Sequence, residues 1–408
     1  MTTPGSVSDR RAIEALRAGV PNGDAVRALG SNQTDIISAF DEKLGHAAEM
    51  EAAASTGFVI SGGFGTGKSH LVEELHQRAL AANYVSSKVS ISKETPLHVP
   101  AKVVQAAART MQAKDVSDGL LMDIAMRLGT DRPAFHDFTG WCGSRRSKIS
   151  ITFRSLLELR ASSGADLSII DLLFRYWSGE TVQISEIKRQ LAAAGLTSCP
   201  VEAVRAAQRP WQTARFLSHL CQVHGFRGWV VFLDEAELVS KYGLISRARA
   251  YAQLGRWLGL RPEHRIAGTA VVATVINDFG PTVLDGRGDR WSVPELLKEG
   301  RRAEDFEDVP FAVRGMESID NALRVHEISR EHLKSAHNVL RVAHSNAYHW
   351  DAPDLEIDFR RHQPMRLYVR RWINEWDLTR LYGSQSLEFS GEEIVVDYGE
   401  DGDGWDQG

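Results

Sequence analysis

The sequence predicts an α/β protein built on a parallel sheet with helices on both of its faces. Three observations predict it. Compact apolar runs at 58–60, 85–91, 230–233 and 266–276 are each short enough to be buried strands, and helical stretches separate them. The first run leads directly into Gly62-Gly63-Phe64-Gly65-Thr66-Gly67-Lys68-Ser69, which satisfies the phosphate-loop pattern GxxxxGK[ST]. The third run ends in Asp234-Glu235, an acidic pair at the carboxyl edge of the expected sheet, where α/β proteins hold their ligands.

In chain order, Ile13, Leu16 and Val20 follow helical spacing from Ser8 until Pro21-Asn22-Gly23 breaks the segment. A short helix is expected over 25–29, then a third with Ile36, Ile37, Phe40 and Leu44 on one face, so residues 1–50 read as an N-terminal helical segment. Residues 68–81 read as the helix after the phosphate loop. Residues 85–91 read as the second strand, because Val85, Val89 and Ile91 are β-branched and Pro96 closes the segment. The α/β core is thus expected in two pieces, 51–96 and 226–300. Between them, 97–225 reads as a helical insertion, with helical pattern over 169–177 and 184–191 and a polar loop over 140–148. Helical periods return beyond 301, clearest over 328–348 and 366–378, and predict a C-terminal helical lid domain reaching residue 390. The acidic, Gly-rich remainder, 391–408, has only 394–396 to bury and is expected to be disordered.

Bulk composition excludes several classes. Of 408 residues, 43% are apolar and 25% charged, ordinary for a soluble globular chain, and no apolar run approaches the roughly 18 residues of a membrane span. The first thirty residues lack the apolar stretch and cleavage site of a signal peptide, so a cytoplasmic location and no membrane partner are expected. Cys142, Cys199 and Cys221 form no CxxC or Cys/His pattern, which argues against a disulfide framework or a zinc site. A net charge of −5 excludes a globally basic nucleic-acid coat and leaves a local basic face open.

The chemistry rests on the two motifs. Glycines at 62, 63, 65 and 67 let backbone N–H groups turn onto the α and β phosphates, with Phe64, Thr66 and His70 as neighbours of the nucleotide. Lys68 reaches the β and γ phosphates and Ser69 ligates Mg²⁺, while the pattern alone does not choose ATP over GTP. Asp234 is expected to hold the Mg²⁺ shell, and Glu235 to orient and deprotonate the attacking water, so hydrolysis is expected rather than binding alone. The run at 266–276 brings Asn277 and Thr274 to the same edge. Either is a candidate to contact the γ-phosphate or its water, Asn277 ranking first, with core packing as the competing reading for a strand threonine. Arg247, Arg249, Arg256 and Arg265 lie where an arginine finger acting on a neighbouring subunit would originate, but exposed arginines that only keep a protein soluble would look the same. Two basic patches remain. Ser144 to Lys148 reads as a solvated loop, while Arg360, Arg361, Arg366, Arg370 and Arg371, interleaved with Tyr368 and Trp372, suit either double-stranded DNA or an ordinary charged helix face.

Residues 11–22 (RAIEALRAGVPN), 25–30 (AVRALG), the phosphate loop and 225–237 (GFRGWVVFLDEAE) together resemble the BREX-system ATP-binding proteins of bacterial phage defence, the shorter BrxD type by size. The resemblance runs from Arg11 to about Arg380. It implies an AAA+ P-loop NTPase fold of the initiator type, related to Orc/Cdc6, with a helical lid. It implies ATP with Mg²⁺ at Lys68, Ser69, Asp234 and Glu235, a sensor 1 role for Asn277 or Thr274, and a sensor 2 role for Arg366, which follows Pro364 at a helix start. The insertion exceeds what a minimal AAA+ core uses. A winged-helix segment is not evident, so a DNA role is not carried over from initiators. The function implied is an ATP-hydrolysing switch or loader for a DNA-acting complex, with a helicase or other defence protein as partner and a homo-oligomer as one form of assembly. The alternative is an ATP-bound, DNA-docked scaffold with negligible hydrolysis. A small-molecule kinase is disfavoured, since no acceptor pocket is identifiable.

Overall fold

Three helices come first in the computed structural model, α1 (Pro4–Ala18), α2 (Gly23–Leu29) and α3 (Thr34–Ala48), before strand β1 (Gly57–Ser61). Helix α4 (Lys68–Ala81) and strand β2 (Val85–Ser90) follow. Seven helices then separate β2 from the next strand: α5 (Pro100–Arg109), α6 (Leu120–Arg127), α7 (Pro133–Cys142), α8 (Ile151–Ser163), α9 (Leu167–Trp177), α10 (Ile184–Ala193) and α11 (Arg209–Val223). Strand β3 (Trp229–Asp234), helix α12 (Leu244–Trp257), strand β4 (Thr269–Val275), and helices α13 (Asp289–Lys298) and α14 (Ala303–Asp320) complete the middle of the chain. Strand β5 (Leu323–Arg324), α15 (Arg330–Tyr348) and α16 (Met365–Tyr382) end it. The structure describes residues 4–20, 22–48, 56–116, 119–164, 166–300, 303–357, 359 and 363–383. The tail expected to be disordered, together with Arg360 and Arg361, lies outside them.

The strands pair in the order β2-β3-β4-β1-β5, all parallel. Such strands are covered on both faces, which is why they read as continuous apolar runs rather than alternations. Ile60, Val230, Phe232, Ala270 and Val272 face α3 and α4, where Ile36, Phe40, Leu71 and Leu75 meet them. Val59, Val231, Leu233, Val271 and Ala273 belong to the opposite core, which continues through α5, α11 and α12 into the helices between β2 and β3. The 140–148 segment read as loop is in fact the end of α7 followed by a 3₁₀ turn over Arg145–Ser147. Strand β5 had no signal, because two residues cannot display a period.

Helices α12 and α14 approach so closely that a side chain at the crossing is excluded. A Cβ on Gly255 would lie 2.3 Å from the Phe311 carbonyl oxygen, and one on Gly315 would lie 2.1 Å from that of Tyr251. Buried ion pairs flank the crossing. Arg247 grips Asp289 of α13 with two bonds of 2.9 and 3.0 Å, and the Tyr251 hydroxyl donates to the same carboxylate at 2.7 Å. Arg249 makes the same two-bond contact with Asp305, and Arg256 pairs with Asp308. Arg247, Arg256 and all three aspartates are buried, so the arginines read in sequence as solvated helix faces are structural clamps instead. Arg265 donates from Nε to the Gly259 carbonyl at 3.2 Å.

A third core joins the two ends of the described chain. Ala12, Ile13, Leu16 and Ala25 of α1 and α2 pack with Leu333, Leu340, Tyr368, Trp372, Ile373 and Trp376 of α15 and α16. Of the predicted break, Asn22-Gly23 is a helix start: the Asn22 side chain accepts from the Ala25 N–H at 2.9 Å and caps α2. Tyr368 and Trp372 lie inside this core, which removes them as surfaces on which a nucleic-acid base could stack.

Removing one partner of a buried pair strands the other charge. Asp289→Ala, which leaves Arg247 without its carboxylate, is therefore expected to cost about 3–5 kcal/mol in chemical denaturation, whereas the double change Arg247→Met, Asp289→Leu costs less.

Candidate nucleotide-binding site

The carboxyl ends of β1, β4 and β3 stand side by side, and three chain segments leave from them. The loop after β1 turns through Gly65 (φ +75°) and Gly67 (φ +104°), left-handed conformations open to glycine without strain. Its first residue is pinned by the Gly62 N–H, which donates to the Val275 carbonyl at 3.2 Å, and a Cβ there would press on Lys68 Cγ at 2.8 Å. No side chain caps α4, so the N–H groups of its first turn open onto the loop. This is a cradle of backbone donors at a helix N-terminus, with a cation beside it. It fits phosphate, and the oxygens of Ser69 at the start of α4 and of Asp234 at the end of β3 are hard donors of the kind that suit Mg²⁺. Ser69 and Phe64 are exposed at the mouth of the loop. His70 is turned aside, its Nε2 donating to the Gly30 carbonyl at 2.9 Å, and burial depresses its pKa.

Lys68 lies over its own loop. Its ammonium donates to the Gly62 carbonyl at 2.6 Å and to that of Gly63 at 3.4 Å, and stands 3.9 Å from a Glu237 carboxylate oxygen. Burial lowers its pKa, against the opposing charges of Glu237, Asp234, Asp278 and Glu235.

At the end of β3, the Thr274 hydroxyl donates to Asp234 Oδ1. The Glu235 N–H donates to Thr274 Oγ1 at 3.1 Å and to Asp234 Oδ1 at 3.0 Å. Glu235 has a left-handed backbone, φ +59° and ψ +34°. That conformation is uncommon for a residue with a Cβ, and it turns the chain out of the strand so that the carboxylate is exposed at the edge. Desolvation and the adjacent Asp234 charge raise the Glu235 pKa, and Lys68 opposes them. Of the two polar candidates after β4, Thr274 is bonded directly to the acidic pair. Asn277 stands across the phosphate loop, where a Cβ on Gly63 would be 3.9 Å from its Nδ2.

The remaining candidates are placed elsewhere. The guanidinium of Arg366 lies over Gly19 together with that of Arg370, each 3.5 Å from the position of a Cβ there. Its helix nevertheless reaches the site through Pro364, whose Cβ would be 2.9 Å from a Cβ on Gly65. Arg371 pairs with Glu375 at 2.9 Å, so the basic patch on α16 is narrower than its sequence. Arg145, Arg146 and Lys148 are exposed. Arg247, Arg249 and Arg256 are held in the clamps described above.

Sequence reasoning assigned no role to Glu237 or Asp278. Glu237 was visible as a third acid two residues past Glu235 on the turn that follows the strand, but nothing in the spacing shows that the turn folds it back on Lys68. Its side chain is 15% exposed, its Oε2 has no hydrogen-bond partner, and burial pushes its pKa up to about 7 against the pull of Lys68.

Over 7–126 the chain matches a family model that spans α1 to α4, the phosphate loop, β2 and most of α6, and ends before the acidic pair. No curated protein matches the chain. No helix of the described residues is long and apolar enough to cross a membrane.

A raised carboxyl pKa has a stability consequence. Between about pH 4.5 and 7 the folded chain keeps a proton on Glu237 that the unfolded chain has lost, so this group makes stability fall as pH rises through that window. The melting temperature of the wild type is expected to fall more steeply from pH 5 to 8 than that of Glu237→Gln, the difference being read from paired thermal melts. The part of the chain that carries the phosphate loop matches the BREX system ATP-binding proteins, BrxC/D.

Proposed function

We propose that the chain binds ATP with Mg²⁺ at this edge and hydrolyses it, as an AAA+-type switch or loader for a DNA-acting assembly of the BREX system. The observation that carries the reading is the convergence of the Gly62–Ser69 loop, the Asp234–Glu235 pair and Thr274 at three adjacent strand ends, with the Thr274 hydroxyl on Asp234. In this reading the loop N–H groups and α4 hold the phosphates, and Lys68 leaves its carbonyl partners to reach the β and γ oxygens. Ser69 and Asp234 hold Mg²⁺, which when bound offsets the charge on the phosphate oxygens. Glu235 orients the attacking water and takes its proton, a role suited to a carboxyl whose pKa is raised. Thr274 fixes the rotamer of Asp234 and receives the Glu235 N–H, and Asn277, beside Gly63 of the loop, is the proposed contact to the γ-phosphate. A helicase or other defence protein, duplex DNA and further copies of the chain are the proposed partners, in a cytoplasmic setting. Arg366 and Arg370, converging on Gly19, are the phosphate-facing pair on α16 in that proposal, and Arg366 acts as a sensor only if α16 moves toward the loop.

Two substitutions test the reading. Lys68→Ala removes the side-chain cation of the loop and is expected to abolish ATP binding in calorimetry, and an unchanged affinity would refute the assignment. Glu235→Gln is expected to bind ATP as the wild type does while hydrolysis slows about 10²-fold or more, the usual size of the loss when a positioned base is removed. Turnover should be measured with and without duplex DNA. If the wild type hydrolyses ATP under none of those conditions, the scaffold reading takes its place.

A further inference from the structure

Glu237 stands beside Lys68 and belongs to neither the phosphate loop nor the acidic pair. It sits on the 3₁₀ turn Ala236–Lys241, partly buried, with one carboxylate oxygen 3.9 Å from the Lys68 ammonium and the other buried without a hydrogen-bond partner. The Lys68 ammonium draws the Glu237 pKa down, while Asp234 and Glu235 push it up. A buried carboxylate with a free oxygen is costly unless a cation compensates it, and the cation here is the one that phosphates require. Lys68 is also held by the Gly62 and Gly63 carbonyls on the same side. The lysine thus already occupies a complete resting site, made of two carbonyls and one carboxylate.

We propose that Glu237 is the resident counter-ion of Lys68, a carboxylate that keeps the lysine on its own loop and competes with the phosphates of the nucleotide for it. It is a positioning residue acting through Lys68, and it rests on the reading of this edge as an ATP site. Asp234, Glu235 and Asp278 also act on Lys68, but Asp234 is engaged by the Thr274 hydroxyl and Glu235 is exposed. The Glu237 turn is anchored separately, by Arg287, which donates to the Ser240 carbonyl at 2.8 Å. Neutralising Glu237 therefore releases the lysine without removing what holds the turn. The effect has an unusual sign, because loss of a charge–charge contact inside the site improves binding instead of weakening it. The same contact makes nucleotide release easier, since Glu237 stands ready to take Lys68 back.

The test is calorimetric titration of the full-length wild type, Glu237→Gln, Glu237→Ala and Glu237→Asp with ATP and Mg²⁺ at pH 8.0, where Glu237 is ionised. Both neutral variants are expected to bind at least about fivefold tighter than the wild type, the scale of one unit charge removed at about 4–6 Å in a partly screened site. Glu237→Asp, which keeps the charge one methylene further away, is expected to fall between. Circular dichroism melts establish that each variant is folded, and Ala serves if Gln is not. A wild type that binds ATP as tightly as, or more tightly than, folded neutral variants overturns the inference and leaves the site standing. A wild type that binds no ATP overturns the reading of the site itself.

Discussion

The register of three parallel strands is the constraint on which the candidate site depends. Ile60 lies beside Thr274, and Leu233 beside Ala273, so β1, β4 and β3 end at nearly the same level. The phosphate loop, Thr274 and the acidic pair come from positions far apart in sequence, and the ladder alone brings them within hydrogen-bond reach. A one-residue slip would turn Thr274 to the other face of the sheet and carry its hydroxyl away from Asp234. The apolar continuity of the strands is what forbids that slip, because both faces are buried and each residue has a partner helix.

The helices that support the edge are fixed by charge as much as by apolar area. Three arginines of α12 are paired with three aspartates of α13 and α14, and burial raises the Asp308 pKa even beside Arg256. Replacing such pairs by apolar residues of equal volume is often harmless to stability, so their value lies in fixing one arrangement of helices. Here they set how α12 is rotated against α14 at a crossing with no room for a side chain. Leu258, just past the end of α12, closes on Gly57 of β1, where a Cβ would lie 2.5 Å from its Cα, so the same helix backs the strand that leads into the phosphate loop.

Much of the fold and of the edge was legible in sequence because the signals are local. A glycine pattern after an apolar run names the phosphate loop, and Asp234-Glu235 after another names the acid pair. What stayed hidden depends on contacts between distant segments. The arginines of α12 looked solvated because a charge pattern does not record that Asp289, Asp305 and Asp308 lie opposite. Tyr368 and Trp372 looked available to nucleic acid because interleaving with arginine on a helix says nothing about which face meets α1. Glu237 was spelled out beside the acid pair, but its role depends on a turn that folds it back toward Lys68. Strand β5 is two residues long and carries no periodic signal at all.

The shared core of α1, α2, α15 and α16 has a kinetic consequence. Ile13 and Leu16 are made long before the apolar surface that covers them, around Leu340 and Trp372. During synthesis, and in any refolding experiment, the two N-terminal helices must wait with their apolar faces uncovered while more than three hundred residues are placed between them and their partners. Closing so long a loop is slow, and the waiting surface is open to aggregation. The sheet and its edge, built from segments nearer in sequence, can form ahead of that closure. Docking of α15 and α16 onto α1 and α2 closes that loop, and the same α16 holds Pro364 against the phosphate loop.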